Sequence, residues 1–178
     1  MKCRKLVVLF IMILLSPIVI GCSDSKQDTK MAANSISIAA VPTEPLPKSG
    51  AEVDFSNPKL PGYLSVSGLS IVESWGRWSD VDKVILKFGS NLPAKFSLTI
   101  SAKAYGPNAG EPVIVKAGNQ TEEYKFVADA AKPQSVEFSP SVTVDTIEIY
   151  IPKPTPPPSG DTRRLGLAFS SLSLIAIP

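Results

Sequence analysis

The sequence predicts an all-β chain: an antiparallel two-sheet sandwich of jelly-roll type, placed behind a leader and a flexible tether. Two observations predict it. Apolar residues recur with period two in short runs separated by many of the 17 Pro and 11 Gly residues. Beyond the leader, no stretch shows the 3.6-residue period that an amphipathic helix needs.

The runs are read in order. Tyr63 to Val66 and Leu69 to Trp75 are the first two strands. Val84, Leu86 and Phe88 then alternate with Lys83, Ile85 and Lys87. The clearest strand is Lys95 to Tyr105, where Phe96, Leu98, Ile100, Ala102 and Ala104 share one face and Lys95, Ser97, Thr99, Ser101 and Lys103 the other. Val113 and Val115 lead into Gly118-Asn119, and Tyr124 and Phe126 lead out of it. Both turn residues tolerate positive φ, so a tight hairpin is expected there. Val136 with Phe138, and Ile147 with Ile149 and Ile151, supply two more strands. In the last, Leu165 to Ile177, the apolar phase slips from odd to even positions and back, which predicts a β-bulge near Ser170-Ser171. Pro152 to Pro158 is too rich in proline for a ladder and reads as a stiff surface loop.

Residues 1–21 read as a lipoprotein signal peptide: Lys2, Arg4 and Lys5 precede an apolar run from Leu6, too short for a spanning helix. The end of this segment, Val19-Ile20-Gly21-Cys22, resembles a bacterial lipobox, although Ile20 stands where a small residue is usual. That resemblance implies cleavage before Cys22, lipid (a diacylglyceryl thioether and fatty acyl chains such as palmitate) on its sulfur, and export to the cell envelope. Ser23 after the cysteine implies an outer-membrane lipoprotein facing the periplasm. With Cys3 lost in the leader, no disulfide is expected, and stability falls to the core. Residues 22–50 are polar and rich in small residues, with Pro42, Pro45 and Pro47, and read as the tether. Residues 51–178 form the sandwich domain.

Composition excludes several functions. The chain has no histidine, which removes Ser-His-Asp and Cys-His nucleophiles and the His-based zinc sites. Three of its 18 basic residues lie in the leader, and the rest nearly balance the 16 acidic ones. Nucleic acid is therefore not an expected partner. No catalytic residues, no metal and no cofactor are expected.

Both tryptophans fall within Glu73-Ser74-Trp75-Gly76-Arg77-Trp78-Ser79. An indole face stacks on the apolar face of a pyranose while Arg and Glu hydrogen-bond its hydroxyls, so this segment is a candidate glycan platform. The alternative is that one indole plugs the sandwich and Arg77 sits in an ion pair that fixes a corner. Asp161 with Arg163 or Arg164 is a second candidate cluster, and Tyr105 with Asn108 a third.

Taken in order, Gly68-Leu69-Ser70, Glu73 to Ser79, Leu92-Pro93 with Phe96, Ala102 to Gly106 with Asn108, Pro112-Val113 and Arg164-Leu165-Gly166-Leu167 carry a family resemblance. Together they resemble the C-terminal accessory domain of the phosphoglycerol transferase I family, whose enzymes decorate osmoregulated periplasmic glucans. The resemblance covers roughly Val53 to the end. It implies a module separated from the family's catalytic domain, so no catalytic role carries over. It implies that Glu73, Trp75, Arg77, Trp78, Tyr105, Asn108 and Arg164 are either glycan contacts or framework. The expected function is a lipid-anchored, non-catalytic binder of a periplasmic glucan or related glycan. The alternative is a scaffold that docks onto an envelope glycan-modifying enzyme, and a hydrolase pairing Glu73 with Asp161 is the least favoured reading.

Overall fold

The computed structural model describes residues 41–158 and 160–178. The leader and Cys22 lie outside the described residues. Among the described residues, ten strands form two antiparallel five-stranded sheets. They are β1 (Ala51–Asp54), β2 (Leu64–Ser67), β3 (Arg77–Trp78), β4 (Lys83–Phe88), β5 (Phe96–Ala104), β6 (Pro112–Ala117), β7 (Gln120–Lys125), β8 (Lys132–Phe138), β9 (Thr146–Tyr150) and β10 (Leu167–Ala176). The first sheet runs β1-β10-β5-β8, with β3 also paired to β10, and the second runs β2-β4-β9-β6-β7. The expected all-β sandwich is therefore the observed architecture.

The period-two runs become the inner faces. Phe96, Leu98, Ile100 and Ala102 of β5, with Leu172 and Leu174 of β10, meet Val84, Leu86, Val115, Ile147 and Ile149 of the second sheet in one core. At roughly 25 cal/mol per Å² of apolar surface removed from water, burial of this kind is the main source of stability. Phe96 and Phe138 stack with centroids 5.3 Å apart, and Phe55 meets Phe169 edge to face at 5.8 Å. Gly118, at φ +60°, forms the two-residue turn between β6 and β7, as its sequence predicts.

The bulge expected near Ser170-Ser171 is present. In the β10–β5 ladder Phe169 pairs with Ala102 and Ser171 with Ser101, so Ser170 is the extra residue. On its other edge, β10 pairs with β3 at Ala168 and Phe169 and with β1 from Ser171 to Leu174. Two short strands thus share one edge, and the freed Ser170 carbonyl accepts the Phe55 N–H at 3.0 Å.

Three stretches differ from the sequence reading. Leu69 to Trp75 is not a strand: Leu69 makes one isolated bridge to Ser79, and Glu73 and Gly76 bridge each other around a tight turn. Gly76, at φ +146°, reverses the chain there, so the ladder starts only at Arg77. The strand β1 is not among the predicted runs. Residues 41–50, the end of the stretch read as tether, lie against the sandwich. Thr43 and Glu44 donate to the Gly62 carbonyl at 2.9 and 3.2 Å, and Leu46 packs on the core.

Phe169 is 1% exposed and touches the junction where β1 gives way to β3. Phe169→Ala is expected to cost about 3–5 kcal/mol, read as a lowered urea midpoint with unchanged slope.

Candidate functional site

Alternation along the first sheet sorts the candidate residues. Ala102 and Ala104 of β5 face the core, so Lys103 and the following Tyr105 face outward. Ala168 of β10 pairs with Lys103 on one side and with Trp78 on the other. Trp78, Ala168 and Lys103 therefore form one outward cross-strand row. Ala168 is 0% exposed although it belongs to the outer face, because longer side chains lean over it from both neighbouring strands.

The row carries an aromatic corner. The Trp78 ring meets Trp75 at 5.2 Å and 73°, and Tyr105 at 5.6 Å and 81°, both edge to face. Lys103 Nζ sits 5.8 Å from the Trp75 ring and 6.0 Å from the Trp78 ring, within cation–π range of both. Each edge-to-face pair adds about 0.5–1.5 kcal/mol beyond burial, so the three rings hold one another in place. All three remain half-buried rather than enclosed.

A polar cluster borders the rings. Trp75 Nε1 donates to Glu73 Oε2 at 3.1 Å, and the other oxygen of Glu73 faces Arg163 Nη1 at 3.3 Å. Arg163 also grips Asp161 with Nε and Nη2 donating to Oδ2 at 2.9 and 2.7 Å, and Nη1 lies 3.4 Å from Ser70 Oγ. Hydrogen bonds from the Arg163 side chain and backbone hold the Asp161 carboxyl below its ordinary range, and the same pairing raises the Arg163 guanidinium. The stability gained from Asp161 is therefore present above the usual carboxylate pKa and is lost as pH falls through the lowered one.

The structure brings together Glu73, Trp75, Trp78, Tyr105 and Asp161, and sets three other candidates apart. Arg77 follows the opposite phase to Trp78. Its Nε donates to the Phe55 carbonyl at 3.3 Å and its Nη2 to the carbonyls of Asn57 and Pro58 at 3.1 and 3.3 Å. It stitches the β1–β3 junction, and its partners are carbonyls rather than the carboxylate that the corner reading supposes. Asn108 is 0% exposed. Its amide donates to the Tyr105 and Lys153 carbonyls and accepts the Lys153 N–H, each at 2.9 Å, which ties the turn after β5 to the proline loop and leaves nothing for a ligand. Arg164 points to the Pro154 carbonyl at 3.1 Å, away from the ion-pair cluster. The guanidinium that joins Glu73 to Asp161 belongs to Arg163.

Two members of the site are not singled out by the sequence. Lys103 reads only as an outward residue of β5, and Ser70 only as part of a motif. The outward phase of Lys103 is visible in the sequence, but its pairing across Ala168 is not. Among the described residues, no group of three acidic or thiol side chains is arranged to hold a metal ion.

Residues 40–176 match the family described as domain of unknown function DUF7024. The chain belongs to this family. It is 34% identical over 117 residues to phosphoglycerol transferase I of Escherichia coli and equally to that of Shigella boydii. The match spans 61% of the chain and 15% of each transferase, so this DUF7024 chain corresponds to a small part of those enzymes. Among solved structures, a point mutant of a family 29 carbohydrate-binding module aligns with a TM-score of 0.48 at 14% identity, covering 71% of this chain and 91% of that one. A ruminal GH26 endo-beta-1,4-mannanase aligns at 0.44 and 6% identity, covering 76% and 27%. These likenesses leave the residues of the site unassigned.

Two substitutions test the framework. A Cβ on Gly76 would overlap the Phe169 carbonyl oxygen, so Gly76→Ala is expected to lower the melting temperature and shift the tryptophan emission as β3 leaves its place. Asn108→Ala strands the Lys153 N–H and is expected to cost about 1–3 kcal/mol by chemical denaturation, without altering tryptophan emission in the folded state.

Proposed function

We propose that this chain is a non-catalytic glycan-binding protein of the cell envelope. Its Trp75–Trp78–Tyr105 corner takes a periplasmic glucan or related glycan, and lipid on Cys22 holds it at the outer membrane, facing the periplasm. One observation carries the reading. Three mutually braced aromatic rings stand half-exposed on an outer sheet face, and oriented polar groups of both signs stand directly beside them.

A pyranose presents one apolar face and a rim of hydroxyls. The rings supply the apolar contact, and Glu73, Asp161, Arg163 and Lys103 supply acceptors and donors for the rim. Because the rings are braced and the polar groups already paired, little side-chain entropy is lost on binding. The contact is nonetheless small and open, so weak affinity, strengthened by several sites on one polymer, is the expected mode.

The non-catalytic reading follows from the same geometry. Glu73 and Asp161, the carboxylates beside the rings, are both tied to Arg163, an arrangement for holding rather than for proton transfer. The family likeness points the same way, since the matched part is a small share of the transferase. A second reading, a scaffold docking onto an envelope glycan-modifying enzyme, is favoured by Trp78 covering Ala168 as a packing residue would.

Titration of the full chain in neutral detergent with a soluble β-glucan, followed by tryptophan fluorescence, separates the two. Trp75→Ala is expected to weaken binding by about fivefold or more while the melting temperature moves little. Trp78→Ala is expected to lose binding and some stability together. If β-glucan produces no fluorescence change at millimolar sugar, and both variants lose stability alone, the corner is packing and the scaffold reading stands.

A further inference from the structure

A second constellation lies on the other sheet and shares no residue with the aromatic corner. In the β4-β9-β6 ladders, Lys83, Tyr150 and Ile114 form one cross-strand row, and Ile85, Glu148 and Lys116 form the next. All six belong to the outward phase, opposite to the buried Val84, Leu86, Val115, Ile147 and Ile149. Tyr150, 38% exposed as a residue, ends the strand on this face.

The ring is held in a set orientation. Its hydroxyl donates to Glu148 Oε2 at 3.0 Å, and Glu148 Oε1 takes Lys83 Nζ at 3.0 Å. Lys83 Nζ also lies 5.6 Å from the ring centroid. An exposed aromatic ring fixed by its own hydroxyl and a neighbouring ion pair has already lost the rotamer freedom that ligand binding would otherwise cost.

Glu148 is also one wall of a groove of about 260 Å³, shared with Lys116 and the Thr143 to Thr146 segment. A second hollow of about 270 Å³ adjoins it at Asp145 and is bounded by Lys87 and Asn91. Neither Lys87 nor Lys116 makes an ion pair among the described residues.

The chemistry of this trough selects its occupant. Its lysines, threonine hydroxyls and Asn91 amide alternate with the carboxylates of Asp145 and Glu148. That mixture does not present the excess positive charge a nucleic acid requires. Between these polar groups Val144, Val41 and Pro42 supply apolar surface. A ligand carrying many hydroxyls, each able to donate and accept, with one apolar face for a ring, matches both halves.

We infer that the outer face of the second sheet along β9, from Tyr150 past Glu148 to Asp145, is a second saccharide-binding surface. Tyr150 stacks beneath one sugar ring, and Lys116, Asp145 and Thr146 hydrogen-bond the sugars that follow along the groove. The inference shares its ligand class with the reading of the aromatic corner and none of its residues. Two such surfaces on opposite sheets would let one chain hold two glycan strands or two stretches of one polymer.

The test is calorimetric titration of the full chain in neutral detergent with a β-linked glucohexaose, run beside tryptophan fluorescence, which reports the corner alone. The expected result is two sites per chain by calorimetry and one by fluorescence. Tyr150→Ala and, separately, Lys116→Glu are expected to remove or weaken at least fivefold one calorimetric site while leaving the fluorescence titration intact. Tyr150→Phe, which keeps the ring, is expected to retain most of the binding. Lys116 is exposed, so a change at that position reports on ligand contact rather than folding. If both variants leave the calorimetric curve at its wild-type stoichiometry and affinity, the second surface is overturned while the corner stands. If the heat survives Trp78→Ala but not Tyr150→Ala, the second surface stands and the corner reading fails. Absence of any heat overturns both.

Discussion

The bulge in β10 is the constraint on which the rest depends. One edge of this strand must serve two partners, and the extra residue at Ser170 lets it do so. Before the bulge, β10 pairs with β3 and puts Ala168 outward; after it, β10 pairs with β1 and puts Ser171 outward. Phe169 and Leu172 both stay in the core because the phase slips by one residue between them. Without the slip, one half of the strand would turn its apolar residues to water.

The aromatic corner follows from that constraint. β3 is two residues long and holds its place through its pairing with β10, through Gly76 lying tight against the Phe169 carbonyl, and through Arg77 bonding back to the end of β1. Trp78 is outward because Arg77 is spent on the junction, and it has room to lean across the sheet because its neighbour in the ladder is Ala168 rather than a larger residue. The packing residue and the exposed ring are thus parts of one arrangement. Within the WGRW segment the arginine is framework, while both indoles stay half-buried on the outer face.

Much of the fold is legible from residue order. The inward phase of β5, the hairpin at Gly118-Asn119 and the bulge at Ser170 each follow from local pattern, because period two and positive-φ turns are properties of neighbouring residues. The site is legible only in part. Glu73, Trp75 and Trp78 lie within six positions and stand out as a cluster, and Tyr105 and Asp161 are brought to them by the fold. Asn108 misleads because a polar residue in a Gly/Pro turn reads as exposed, whereas here it is buried against the backbone of a loop 45 positions away. Arg163 and Arg164 are adjacent in sequence, and nothing local says which turns toward Glu73.

The sequence alone determined the class of fold, the inward face of most strands and the residue types available for recognition, since these depend on spacing and composition. The tertiary structure decided which side chains meet. Lys103 reaches Trp78 across an alanine on a third strand, Arg163 reaches Glu73 from 90 positions away, and Tyr150 is set between Lys83 and Ile114 by the register of β9 with its neighbours. Those contacts are set by long-range strand pairing, in which a shift of one residue exchanges every inward side chain for an outward one, so no reading of a single strand contains them.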